Sequence, residues 1–165
     1  MVQDLRFTGT TLHPNTSDVQ DETIVNYADL SSGKSRDDAK IAIGNDNNGD
    51  ATVWYNYAAA SAMTILGNSN FDEAQHSVCP KNWRLPSQTA FENIFDYKNE
   101  FSPQSQGVYY FTSLLADAYS FYWTTSVPDT NDGAIRANFQ NNGSRVFVNS
   151  YLRETGMAVR CVARD

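Results

Sequence analysis

The clearest pattern lies near the end of the chain. Ile135, Ala137 and Phe139 alternate with Arg136 and Asn138, and Val146 and Val148 alternate with Arg145, Phe147 and Asn149. Alternation with a period of two marks half-buried strands, and the Asn142-Gly143 pair between the two runs is a strong hairpin-turn signal. Residues 133–148 therefore predict a β-hairpin. Further strands are predicted over 5–12, at Ile41-Ala42-Ile43, over 108–111, over 121–125 and, closing the chain, over 157–162. Helical spacing occurs twice. Tyr55, Ala59, Ala62 and Leu66 share a face and Gly67 is placed to end that helix. Ser87 is a plausible N-cap for a second helix with a buried stripe of Phe91, Ile94 and Phe95. Residues 13–40 read as polar loop. With no internal repeat and no linker, residues 1–165 predict a single domain.

The 165 residues are long enough to bury a core. Aromatic residues make up 13% and charged residues only 19%, so the mean hydropathy of −0.51 comes from Asn, Ser, Thr and Gln. That balance suits a loop-rich extracellular module. The net charge of −7 argues against a nucleic-acid partner, which demands clustered Lys and Arg. No stretch approaches the length of a membrane span, and the start lacks a signal-peptide pattern. We read the chain as a segment of a longer exported precursor, with any targeting or anchoring part upstream.

Candidate chemistry is sparse. Cys79 and Cys161 match no zinc site. In an exported chain they would pair, closing a loop of about 80 residues for roughly 4–5 kcal/mol of stabilisation; in a cytosolic chain they would be two buried thiols. His13 and His76 are the only histidines, and neither sits in a motif that supplies a nucleophile with an oriented base. Asp46, Asn48 and Asp50 cluster oxygen side chains around Gly49. Hard oxygen ligands suit calcium, and an Asx-rich turn without metal is the alternative.

Three blocks then stand together: CPKNWRLPSQTAFENIF from Cys79, YWTTS from Tyr122, and GMAVRCVARD from Gly156. With MVQDLRFTG and TVWYNYAAASA upstream, they resemble the CPKGWRLP, YWSST, terminal G-[FY]-S-V-R-C-V, WMTQNLR and YYNWYAA blocks of the Fibrobacter succinogenes major paralogous domain family. The order is the same over nearly the whole chain, with Asn82 in place of a Gly and Met157 in place of an aromatic residue. The resemblance implies an α+β, C-type-lectin-like fold, with two helices packed on small twisted antiparallel sheets and long loops. It implies export to the bacterial surface and pairing of Cys79 with Cys161. Some relatives of this kind are variable proteins of diversity-generating retroelements, rewritten just before the closing strand. The Asn- and Asp-rich composition of residues 127–155 fits that pattern, and fits any Asn-rich surface loop equally.

These readings converge on recognition rather than catalysis. If Ile135, Ala137, Phe139, Val146 and Val148 face the core, Arg136, Asn138, Arg145, Phe147 and Asn149 face away. With Tyr151 they would make an aromatic and arginine surface of the kind that binding hot spots use. The predicted face comprises Asp129, Asn131, Asp132, Arg136, Asn138, Gln140, Asn141, Asn142, Arg145, Phe147, Asn149, Tyr151 and Arg153. The expected partner is a protein or glycan on another surface. The alternatives are a structural or pilus-associated surface module and, third, an oxidase of the formylglycine-generating type, which would need reactive thiols. The glycan-binding motifs Glu-Pro-Asn and Gln-Pro-Asp are absent, which disfavours a calcium-dependent monosaccharide site.

Overall fold

The computed structural model describes residues 4–13, 17–18, 24–46, 48–64, 74–94, 108–110, 113–115, 119–127, 133–140 and 146–164. Over these the chain is mixed α+β, mostly strand, with two small helices and small sheets. The first half carries β1 (Thr11–Leu12), β2 (Ser17–Asp18), β3 (Val25–Asn26), β4 (Ala28–Asp29), a 3-10 turn (Leu30–Ser32), β5 (Lys40–Asn45), β6 (Ala51–Tyr55) and α1 (Tyr57–Ala60). The second carries β7 (Ser77–Pro80), β8 (Trp83–Arg84), α2 (Gln88–Ile94), β9 (Val108–Tyr110), β10 (Ser113–Leu115), β11 (Tyr119–Trp123), β12 (Gly133–Gln140), β13 (Val146–Leu152) and β14 (Val162–Ala163). One three-stranded sheet orders β11-β12-β13 and is antiparallel throughout. The other orders β4-β5-β6, with β4 parallel to β5. Two-stranded pairs join β1 to β3, β2 to β7, β8 to β14 and β9 to β10.

The closing segment joins these small sheets. Gly156 and Tyr109 exchange both backbone hydrogen bonds, at 2.8 and 2.9 Å, and Met157 and Tyr55 do the same. Ala158 donates to the Phe121 carbonyl at 3.1 Å, and the Val159 carbonyl accepts from Leu5 at 2.8 Å. Residues 156–158 thus form single bridges to three different sheets instead of the continuous strand predicted over 157–162. Each neighbour takes one residue and the next residue meets another sheet, so no ladder develops. The regular pairing comes later, where Val162 lies opposite Arg84 in β8. Between them Cys161 is bonded to Cys79, with Cα atoms 5.8 Å apart and both residues fully buried.

The main core lies beneath this segment. Tyr55, Tyr57, Trp123, Met157 and Val159 are completely buried. Their polar tips are satisfied, as burial requires. Trp123 Nε1 donates to the Tyr55 carbonyl at 2.7 Å, and the Tyr57 hydroxyl donates to the Thr125 carbonyl at 3.1 Å. The Tyr55 hydroxyl accepts from the Phe7 amide and donates to the Leu5 carbonyl, tying the N-terminal segment down. Burial pushes the Tyr55 and Tyr27 hydroxyls well above their usual range. A buried Arg160 meets Asp4, its Nε donating to Asp4 Oδ1 at 2.7 Å.

The two helices depart differently from the predicted spans. Helix α2 begins where the sequence predicts it: Ser87 Oγ accepts from the Ala90 amide at 3.1 Å. Phe91 is fully buried against Tyr122, Ala137, Phe139 and Ala158, while Phe95 lies outside the described residues. Helix α1 is a single turn, since Trp54 and Tyr55 belong to β6. Asn56 caps its start, accepting from the Ala59 amide while donating to the Ser35 and Asp38 carbonyls. It ends at Ala62 (φ 49°) and Met63 (φ 63°), where Met63 donates to the Ala58 carbonyl and Ala62 to that of Ala59. These two bonds are the Schellman pattern, formed here without glycine and upstream of Gly67, which lies outside the described residues.

Two outcomes test this frame. A Cβ at Gly156 would collide with Leu30 Cδ2 and stand 2.8 Å from Tyr109 Cβ. Gly156→Ala should therefore lower the urea midpoint, costing about 1–3 kcal/mol, and an unchanged midpoint would refute the close approach. Burial pushes the Asp4 carboxyl above 3.8, outweighing the attraction and hydrogen bond of Arg160. Because its folded value is raised, the contribution of Asp4 is fully present below pH 3.8 and is lost as pH rises through the higher folded value. The unfolding free energy of wild type minus that of Asp4→Asn should accordingly fall across this window. A difference that rises with pH would mean that Arg160 dominates.

Candidate functional site

The hairpin predicted at the end of the chain is present as β12 and β13, paired from Gly133↔Leu152 to Phe139↔Val146. The residues of the intervening Asn-Gly corner lie outside the described residues. Alternation along β12 divides its side chains between two environments. Ala137 and Phe139 are fully buried against Phe91 of α2, and Ile135 is half-buried. On the other side Arg136 stands opposite Trp123 and Asn149, Asn138 opposite Phe121 and Phe147, and Ala134 opposite Tyr151.

That second side is not open along its whole length, as the sequence led us to expect. Phe121, Trp123 and Ala134 belong to the main core, so the sheet is covered by α2 on one side and partly by the core on the other. Asn138 is only 9% exposed for this reason. Among the described side chains, what reaches the surface on this side is a cluster around Arg136. Its guanidinium carbon lies 3.8 Å from the Tyr151 ring centroid and 4.6 Å from that of Phe121. Its Nε donates to Asn149 Oδ1 at 3.0 Å. Asn149 is exposed, Tyr151 and Arg136 are half-buried, and Phe121 forms the buried wall. Each cation–ring contact contributes about 0.5–1 kcal/mol near a surface. More important for binding, three side chains that would otherwise sample many rotamers are held in one arrangement.

The other predicted face residues distribute unevenly. Arg153 is a correction: it is 1% exposed, with Nε donating to the Gly133 carbonyl at 2.8 Å and the guanidinium carbon 5.8 Å from the Tyr57 ring. The turn closed by the Thr155 amide on the Leu152 carbonyl carries it into the core. Gln140 and Phe147 are placed by backbone register alone, opposite Tyr119 and Asn138. Asp129, Asn131, Asp132, Asn141, Asn142 and Arg145 lie outside the described residues. Phe121 was not among the predicted site residues. Its role follows from which strand β12 pairs with, and the alternation within β12 carries no record of that.

The oxygen-rich loop forms a compact Asx turn. Asp46 is buried, and its Oδ1 accepts from the amides of Asn48 at 2.8 Å and Asp50 at 2.9 Å. Asn48 and Asp50 are exposed. Among the described residues no group of three or more His, Cys, Asp or Glu side chains is placed to hold a metal ion. His13 is exposed and His76 half-buried. Cys79 and Cys161 are both committed to the disulfide and supply no thiol beside His76.

The contrast between the two arginines on this hairpin is measurable. Arg153→Ala, which removes a buried hydrogen-bonded charge, should cost about 2–4 kcal/mol. Arg136→Ala, which removes two surface cation–ring contacts, should cost about 1–2 kcal/mol. Chemical denaturation of both variants checks the order, and equal losses would remove the distinction between frame and surface. Comparison of the chain with protein-family models, curated proteins and solved structures finds no match.

Proposed function

We propose that this chain is a non-enzymatic recognition module of an exported bacterial protein, binding a protein or glycan ligand through the hairpin surface around Arg136. The observation that carries the reading is the guanidinium held between Phe121 and Tyr151 and fixed by Asn149. Aromatic and arginine side chains dominate binding hot spots because they bury much area for little lost freedom. Preorganising them lowers the cost of association further. The disulfide supports an oxidising, extracellular setting. Among the described residues no helix is long and apolar enough to cross a membrane. The mixed α+β arrangement of two helices on small sheets is compatible with a C-type-lectin-like domain of the family that the sequence resembles. Retroelement diversification of residues 127–155 is part of the same reading, and a near-copy of their coding stretch differing at adenines beside a reverse-transcriptase gene would support it.

The experiment is a binding screen of the immobilised domain against glycan and surface-protein arrays, repeated with Arg136→Ala/Tyr151→Ala. The double variant should lose at least tenfold in affinity for whatever the wild type captures, with its melting temperature within a few degrees of wild type. Undiminished capture by a folded double variant would contradict the assignment.

A further inference from the structure

A second site, sharing no residue with the Arg136 cluster, lies where β8 and β14 meet the start of α2. Val162 stands opposite Arg84, and the Arg164 amide donates to the Asn82 carbonyl at 2.9 Å, which carries the antiparallel register one step further. Strand alternation then sets Arg84 and Arg164 as diagonal neighbours on one side of the pair. The disulfide at Cys161, one residue before Val162, anchors this corner. Both arginines line a cavity of about 340 Å³, at the lower end of the range for small-molecule sites. None of its described lining residues is acidic. Arg84 is half-buried, and among the described residues its guanidinium makes one hydrogen bond, from Nη1 to the Leu85 carbonyl at 3.2 Å, and no ion pair. Arg164 is exposed, and its Nη2 donates to the Gln75 carbonyl at 3.0 Å, which holds the guanidinium against the wall that Gln75 contributes. Hydroxyls supply the rest of the polar lining. Ser87 Oγ accepts from the Ala90 amide, so its own hydrogen is available to donate. Thr125 is 4% exposed, and its buried Oγ1 has no partner among the described residues, where a buried hydroxyl ordinarily has one. Glu92, one turn further along α2, is not part of the lining and accepts from Gln88 Nε2 at 3.0 Å. Glu73 and Asp165, adjacent in sequence to lining residues, lie outside the described residues.

We propose that this cavity binds a small anion carrying a phosphate or sulfate group, with the group between Arg84 and Arg164 and hydroxyls of the same walls completing its hydrogen bonds. A half-buried guanidinium with a single neutral acceptor gains from an anionic partner. Donors from two strands and from the cap of α2 approach from several directions, which suits the oxygens of a tetrahedral group. A carboxylate offers two coplanar oxygens, which one guanidinium already satisfies. A neutral ligand would leave the charge of Arg84 unmatched.

The test titrates glycerol phosphate, glycerol sulfate and glycerate into the isotope-labelled protein at constant pH and ionic strength, following the backbone amide resonances. The phosphate or the sulfate ester should bind with a Kd of about 1 mM or tighter. Shifts should be confined to residues 74–75, 84–89, 125–126 and 162–164, and the tighter of the two esters names the source of the group. Glycerate should bind at least about tenfold more weakly. Arg84→Gln and, separately, Thr89→Glu should each weaken the tighter ester at least about tenfold. Thr89 is exposed in the first turn of α2, where an acidic side chain suits the helix, so the second variant keeps the fold while placing a carboxylate beside the site. Three results would overturn the proposal: no shifts from either ester at about 10 mM, equal binding of glycerate, or undiminished binding by either variant in its folded state.

Discussion

Residues 156–161 satisfy the backbone of three separate sheets in succession, and the fold depends on that single passage. Sheets of two or three short strands are marginal on their own. Here each is completed by a residue of the same closing segment: Tyr109 by Gly156, Tyr55 by Met157, and the end of β11 by Ala158. Close approach is possible because Gly156 has no side chain where Leu30, Tyr109 and Trp54 converge. Leu5, Asp4 and Cys79 then hold the same segment from the N-terminal side and from β7. The disulfide closes a loop of 82 residues, so in the chain-entropy account it acts by roughly 4–5 kcal/mol on the unfolded chain.

The candidate surface inherits its rigidity from this arrangement. Phe121, one wall around Arg136, neighbours Tyr122, which is bridged to Ala158, and its own carbonyl accepts from that residue. Tyr151 follows from the register of β13 on β12, and the buried Arg153 anchors the turn just beyond it to Gly133. The exposed tip of the cluster therefore rests on core residues on both sides. This ordering is established during folding, so a ligand would meet side chains whose freedom is already reduced.

Much of this was legible in the sequence where the signal is local. Alternation and an Asn-Gly corner identified β12 and β13, and Ser87 marked the start of α2, because strand period and helix capping are properties of neighbouring residues. The α+β class came from the resemblance of the sequence blocks, and the strands and two small helices agree with it at that level. What could not be read depended on distant partners. The helix expected from Tyr55 to Leu66 is broken by the pairing of β6 with β5 and by a glycine-free Schellman end at Ala62. The apolar run after Gly156 looks like one strand but meets three sheets. Arg153 carries the same side chain as Arg136, and only the turn at Leu152–Thr155 sends it inward. The alternation of β12 likewise contains no hint that its second side would be half covered, because that depends on where Phe121 and Trp123 pack.

Native-state hydrogen exchange tests the central dependence most directly. The amides of Leu5, Tyr55, Tyr109, Trp123, Gly156, Met157 and Ala158 all bond to or from the closing segment. If that segment unites the sheets, these amides exchange only through global opening and report one common free energy. Exchange of the Tyr109 and Gly156 amides orders of magnitude faster than those of Tyr55 and Met157 would show sheets that open independently, and would contradict the account.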